Sequence, residues 1–177
     1  MKILFTLLLF SVCLPLVQAQ KNFVENGKLN GILPLDESGN VVYQIVKSVE
    51  GVSKDELYKR GRKWFVKSFS SAKDVLQVSD GQSGELSAQA ITPLLTKILR
   101  VTLDTDLSYT LLTELKDGRY RLTLTNVRLN NQPLPLFKLP YIGTTQTMYT
   151  TLYTSVDTHL TGLLASLEKA LQTADDF

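Results

Sequence analysis

The spacing of hydrophobic and polar residues along this chain changes several times, and each change marks an element. From Val41 to Val49 the period is two. Val41, Tyr43, Ile45 and Val49 fall on one side, and Val42, Gln44, Val46 and Ser48 on the other, which predicts a strand. At Gly51 the period lengthens. Ser53 stands three residues before Glu56 as in a capping box, and Val52 and Leu57 occupy the staple positions around it. Leu57, Gly61, Trp64, Phe65 and Phe69 then recur at helical spacing, so Gly51–Phe69 reads as a capped helix with one apolar stripe. Gly61 is a poor helix former within that stripe, and its apolar side predicts close approach to a sheet.

Period two returns afterwards. Ser70–Asp74 is a polar break, and Val75–Ser79 reads as a short strand. Asp80–Gly84 is a turn. Glu85–Thr92 alternates, with Leu86, Ala88 and Ala90 on one face, until Pro93 interrupts it. Leu94–Asp104 fits either a helical turn or an extended segment. Asp106–Leu129 predicts a hairpin about Lys116-Asp117-Gly118-Arg119, where Asp-Gly favours a type I′ turn. That turn sets Leu115 against Tyr120, Thr113 against Leu122 and Leu111 against Leu124 on a buried face. The other face pairs Lys116 with Arg119, Glu114 with Arg121, Leu112 with Thr123, and Thr110 with Thr125. Asn130–Thr147, with Pro133, Pro135, Pro140 and Gly143, reads as a long irregular connection. Met148–Gln172 is a second helix with a stripe of Leu152, Val156, Leu160, Leu163, Leu164, Leu167 and Leu171.

Composition adds a compartment. Met1–Ala19 has one base, Lys2, then an apolar run and Val17-Gln18-Ala19 before Gln20, the layout of a cleaved signal peptide. Cys13, the single cysteine, lies inside that run, where it poorly fits a lipidated residue. Cleavage after Ala19 therefore leaves a chain without thiols, excluding disulfides and cysteine chemistry. The 177-residue chain thus divides into the leader, 1–19, a linker, 20–32, and one domain, 33–177. Its net charge of +2 falls to +1 once Lys2 is lost, which is no global signature for nucleic acid. The bases Lys59, Arg60, Arg62, Lys63 and Lys67 cluster on the first helix. They read as a solvated face completing the helix dipole, or as a cationic binding surface.

Little chemistry presents itself. His159 is the single histidine, and Asp157 lies two residues away, off its helix face. One histidine plus carboxylates is a poor zinc set, and no nucleophile-elbow motif accompanies it. The carboxylate pairs Asp36/Glu37, Asp104/Asp106 and Asp175/Asp176 have no spacing that defines a cleft or an EF-hand. Gly81–Gly84 lacks the Lys-Ser/Thr of a P-loop. No catalytic, cofactor or metal residues are assigned, and the expectation is a protein that is not an enzyme.

The leader, the run LPLDESGNVVYQIVKSVEGVSKDELYKRGRKWFVKSFSSAKDVLQV, the KDGRYR hairpin and the C-terminal amphipathic helix together resemble a family of exported Bacteroidetes proteins. That family is a domain of unknown function with a TBP-like fold. Pro34, Asp36, Gly39, Tyr43, Trp64 and the hairpin carry the resemblance most specifically. It implies an α+β fold of order β-α-β-β-β-β-α, a curved antiparallel sheet with two helices packed on one face. It brings no catalytic or binding residues. The expected role is a non-catalytic binding or interaction module, exported to the periplasm or secreted, with an envelope protein or small ligand as partner. Its candidate surface is the open sheet face at Thr110, Leu112, Arg119, Arg121, Thr123, Thr125 and Val127, or the loop Pro133–Tyr141. A structural envelope subunit, a hydrolase and a nucleic-acid binder are the alternatives, and the leader weighs against the last.

Overall fold

The hairpin that organises the sequence also organises the structure. In a computed structural model describing residues 24–69, 76–134 and 146–173, β7 (Val101–Lys116) and β8 (Arg119–Leu129) pair antiparallel. Lys116 opposes Arg119, Glu114 opposes Arg121, and Leu111 opposes Leu124, the expected register. The turn is not type I′, however. Of its two central residues only Gly118 has a positive φ, 70°, whereas type I′ needs both. External bonds hold the turn. Asp117 Oδ1 accepts from Lys54 N at 2.7 Å, and Gly118 donates to Val52 O and accepts from Val49 N.

Around this hairpin the main sheet has the order β4-β8-β7-β6-β5, with β4 Tyr43–Ser48, β5 Leu76–Asp80 and β6 Glu85–Ile98. A two-residue β9, Gln132–Pro133, adds to β8. With α1 (Lys54–Ser68) and α2 (Gln146–Gln172), the main elements run β-α-β-β-β-β-α. β6 passes straight through Pro93 and on to Ile98, so Leu94–Asp104 is the end of β6, a turn at Leu99–Arg100 and the start of β7 rather than a helical turn. The ladder explains why. Leu115 N donates to Gly84 O, so even-numbered β6 residues bond to β7 and odd-numbered amides point away. β5 pairs only with residues 85–88. Pro93 therefore lacks an N–H where, among the described residues, no strand would receive it.

One sheet face packs on the helices. Leu86, Ala88, Ala90, Leu111, Leu115, Tyr120, Leu122 and Leu124 are buried there against Leu57, Trp64, Phe65, Leu160, Leu164, Leu167 and Leu171. Gly61 is where α1 comes closest. A Cβ there would meet Leu86 Cδ1 at 3.0 Å and Leu171 Cδ2 at 3.5 Å. Ser53 caps α1 by accepting from Glu56 N at 3.3 Å, but the capping box is incomplete. Glu56 turns instead to Arg60, 2.9 Å away, and Arg60 also donates to Leu171 O at 3.0 Å. Arg60 is thus a tie between the helices rather than a solvated base.

The segment from Val24 does not behave as a linker. β1 (Val24–Glu25), β2 (Lys28–Leu29) and β3 (Leu33–Pro34) form a small antiparallel meander that buries Leu29 and Leu33. Asn30 donates to Thr150 Oγ1 of α2 at 2.8 Å. The expected leader with Cys13, the polar break Ser70–Asp74, the Leu136–Tyr141 part of the connection and the pair Asp175/Asp176 lie outside the described residues. No helix among the described residues is long and apolar enough to cross a membrane.

Candidate interaction surface

The second sheet face carries no helix. Strand alternation sends Gln44, Val46, Arg119, Arg121, Thr123, Thr125, Glu114, Leu112, Thr110, Ile91 and Leu95 to this side. Near the β7–β8 turn Arg121 forks onto Glu114. Nε to Oε2 is 2.6 Å and Nη2 to Oε1 is 2.5 Å. The hydrogen bond from Arg121 holds the Glu114 carboxyl below its usual range, and the same bond raises Arg121. Both ends are partly in water, so the pair orients the surface more than it stabilises the fold. Lys116, Arg119 and Val46 surround it in a shallow depression of about 190 Å³. Thr110, Leu112, Thr123 and Thr125 form the half-buried middle of the face.

Val127 is a correction. Plain alternation from Arg119 puts it on this open face, but it is 5% exposed and belongs to the core. Between Thr110–Thr125 and Ser108–Arg128 the register shifts by one, so Asn126 and Val127 together oppose Tyr109. Asn126 takes φ 54° there, and its Nδ2 donates to Thr110 Oγ1 at 3.2 Å. This bulge reverses the strand's phase, turning Val127 and Leu129 inward.

Three apolar residues of the same face carry no partner helix and were not singled out by sequence. Val46 is 62% exposed, Ile91 70% and Leu95 68%. For Ile91 and Leu95 the signal was present in the alternation with Ala88, Ala90 and Leu94, but the break at Pro93 hid its continuity. The hairpin end beyond them carries Leu99, also well exposed, at φ 55°.

The inner side holds the one polar cluster near the lone histidine. His159 Nε2 lies 3.2 Å from Thr92 Oγ1, with the Tyr109 ring alongside. Burial lowers His159 and pushes Tyr109 up to about 12. The Tyr109 hydroxyl has no partner of good geometry among the described residues, because Thr92 is turned to His159. Asp157 is engaged elsewhere, accepting from Tyr43 Oη at 2.7 Å. Thr92 Oγ1 and His159 Nε2 are within hydrogen-bond reach, but Asp157 is turned to Tyr43 and does not orient the ring, and the contact ties α2 to β6. Asp36 serves its own turn, accepting from Asn40 N at 2.8 Å and Ser38 N at 2.9 Å. Among the described residues no group of three or more His, Cys, Asp or Glu converges to hold a metal ion.

Residues 43–130 match the family described as domain of unknown function (DUF4468) with TBP-like fold. Among solved structures, the chain is similar to a DUF4468 family protein from Bacteroides ovatus ATCC 8483, at 13% identity and TM-score 0.63. That match covers 82% of this chain and 93% of the other. It is also similar to a TBP-like protein from Parabacteroides distasonis ATCC 8503, at 17% identity and TM-score 0.57, covering 81% and 99%. At these identities the likeness concerns the fold. No curated protein matches the chain.

Proposed function

Since the chain carries a DUF4468 domain of TBP-like fold, a family of unknown function, we propose its role from its surfaces: a non-catalytic binding module of the cell envelope. Its partner site is the sheet face opposite the helices. The observation that carries this reading is the exposure of Val46, Ile91 and Leu95 on a face otherwise built from threonines and a fixed Arg121–Glu114 fork. Val46 borders the fork, and Ile91 opposite Ser108 and Leu95 opposite Asp104 extend the same face along β6, so a partner protein lying along the sheet can cover all three with gain. Export, to the periplasm or outside the cell, is supported by the Met1–Ala19 leader pattern. A purely structural envelope subunit would use the same face against a permanent neighbour.

The test is crosslinking and pull-down from the native envelope with wild type and a Val46→Asp/Ile91→Asp variant. Both positions are exposed, and a melting curve recorded beside wild type shows that the variant is folded before its partners are compared. A partner captured by wild type and lost by the variant supports the reading. An identical captured set from both proteins removes this face from consideration. A covalently modified substrate appearing only with active protein would replace the binding role with an enzymatic one.

A further inference from the structure

The helical side carries a second surface, opposite in position and in chemistry to the sheet face. α1 spends Leu57, Gly61, Trp64 and Phe65 on the core. Its outward side brings Lys59, Arg62, Lys63, Val66 and Lys67 along one face at helical spacing. These residues, with Asp55, line an open groove of about 780 Å³ beside the β5–β6 turn. Lys59, Arg62, Lys63 and Lys67 thus share one groove, in a chain whose net charge is only +2. A second groove between the helices, lined by Lys63, Lys67 and Lys169, continues the positive surface toward the end of α2.

Helix stability accounts for only part of this row. Asp55 stands one turn before Lys59, which favours the helix, while Lys67 repeats the charge of Lys63 at the same spacing. Lys67 and Lys169 lie in last turns, where the dipole favours them. Lys59 and Arg62 lie earlier and gain nothing of the kind. Lys59, Arg62 and Lys67 have no ion-pair partner among the described residues, while the neighbouring Arg60 is committed to Glu56 and Leu171.

We propose that this face docks on an anionic lipid surface, with Lys59, Arg62, Lys67 and Lys169 at the headgroups and Val66 between them. Val66 decides between anionic occupants. It is 53% exposed in the midst of the bases, a place that suits the headgroup boundary of a bilayer. A single nucleic-acid strand would instead use an exposed aromatic platform, and the duplex is left to the competition arm of the experiment. Trp64 is buried with its N–H on Ser166 Oγ, and Tyr58, the aromatic residue that lines the groove, is half-buried with its hydroxyl bonded to Ser79. Docking through the helices leaves the sheet face turned away from the lipid, free for its partner.

The experiment is co-sedimentation of the full chain with phosphatidylcholine vesicles, with and without about one-third phosphatidylglycerol. The readout is the gain in binding on adding the anionic lipid, because any contribution of the apolar N-terminus is common to both vesicles. Wild type should gain strongly, and added salt should erase the gain. Lys59→Glu/Arg62→Glu/Lys67→Glu should lower binding to the anionic vesicles by more than about tenfold. The milder Lys59→Gln/Arg62→Gln variant, which keeps good helix formers, should lower it severalfold. Val46→Asp/Ile91→Asp should leave it unchanged, so failure of this proposal and failure of the sheet-face reading are separable. Equal gain in wild type and both charge variants overturns the proposal. So does binding indifferent to phosphatidylglycerol, or duplex DNA competing the protein off the vesicles at stoichiometric phosphate.

Discussion

Trp64→Ala tests whether α1 is held on the sheet by its aromatic stripe. Trp64 is 7% exposed, and its ring stands edge-on to Phe65 and Phe69 at centroid distances of 5.2 and 5.8 Å. A ring of this kind buries about 150–250 Å², worth about 4–6 kcal/mol at ~25 cal/mol per Å² as an upper bound. Partial collapse of the neighbouring phenylalanines returns some of that, which brings the expected loss to about 3–5 kcal/mol. The Nε1–H bond to Ser166 Oγ, 3.0 Å long, contributes about 1 kcal/mol. Ser166 is exposed and can turn to water, so no buried orphan is left behind. Trp64→Phe keeps an aromatic edge and loses the hydrogen bond and part of the area, for about 1–2 kcal/mol. The assay is equilibrium urea unfolding by far-UV circular dichroism, since both variants remove the chain's single tryptophan and its fluorescence. With m near ~2 kcal/mol/M, Ala should lower the midpoint by about 2 M and Phe by less than about 1 M. An Ala variant within about 0.5 M of wild type, at unchanged m, would refute the account of α1 as the core-covering helix.

Gly84→Ala should cost about 2 kcal/mol or more, read in the same titration. Gly84 has φ +73°, and a Cβ would sit 2.5 Å from the backbone oxygen of Leu115, so neither neighbour nor backbone can yield cheaply. Tyr43→Phe should cost about 1–2 kcal/mol, because it strips the half-buried Asp157 of its donor across the β4–α2 contact. A cost within error of zero would mean water replaces the hydroxyl freely. His159 provides the pH prediction. Burial depresses it below 6.5 in the fold, so the unfolded chain binds its proton first and stability falls as pH drops below about 6.5. The stability contributed by the neutral ring is present above that value and lost as pH falls through the depressed one. His159→Gln should therefore flatten the acid side of the stability profile, and parallel profiles for variant and wild type would contradict the burial effect.

What could be read from sequence depended on whether side-chain period and backbone bonding agreed. In β7 and β8 they agreed up to Thr125, and the pairings of Leu111, Thr113, Leu115 and Lys116 follow from one Asp-Gly position. Beyond it they did not. Asn126 inserts a residue that alternation cannot register, so Val127 was assigned to the face it avoids. Pro93 misled in the opposite direction. A proline normally ends a strand, yet here its nitrogen faces an edge that β5 does not reach, a fact of sheet order rather than of local sequence. The type I′ turn failed for a related reason, because the loop between β4 and α1 binds Asp117 and Gly118 and overrides their intrinsic preference. Helix α1 was legible in full on its apolar side, down to the close approach at Gly61. Its charged side was not, since the sequence cannot distinguish Arg60, which ties two helices together, from Lys59 and Arg62, which tie nothing. That distinction alters what the basic run means. Removing Arg60 from it leaves Lys59, Arg62 and Lys67 on the outer face with no ion-pair partner among the described residues, and these are the charges that the proposed lipid contact would use.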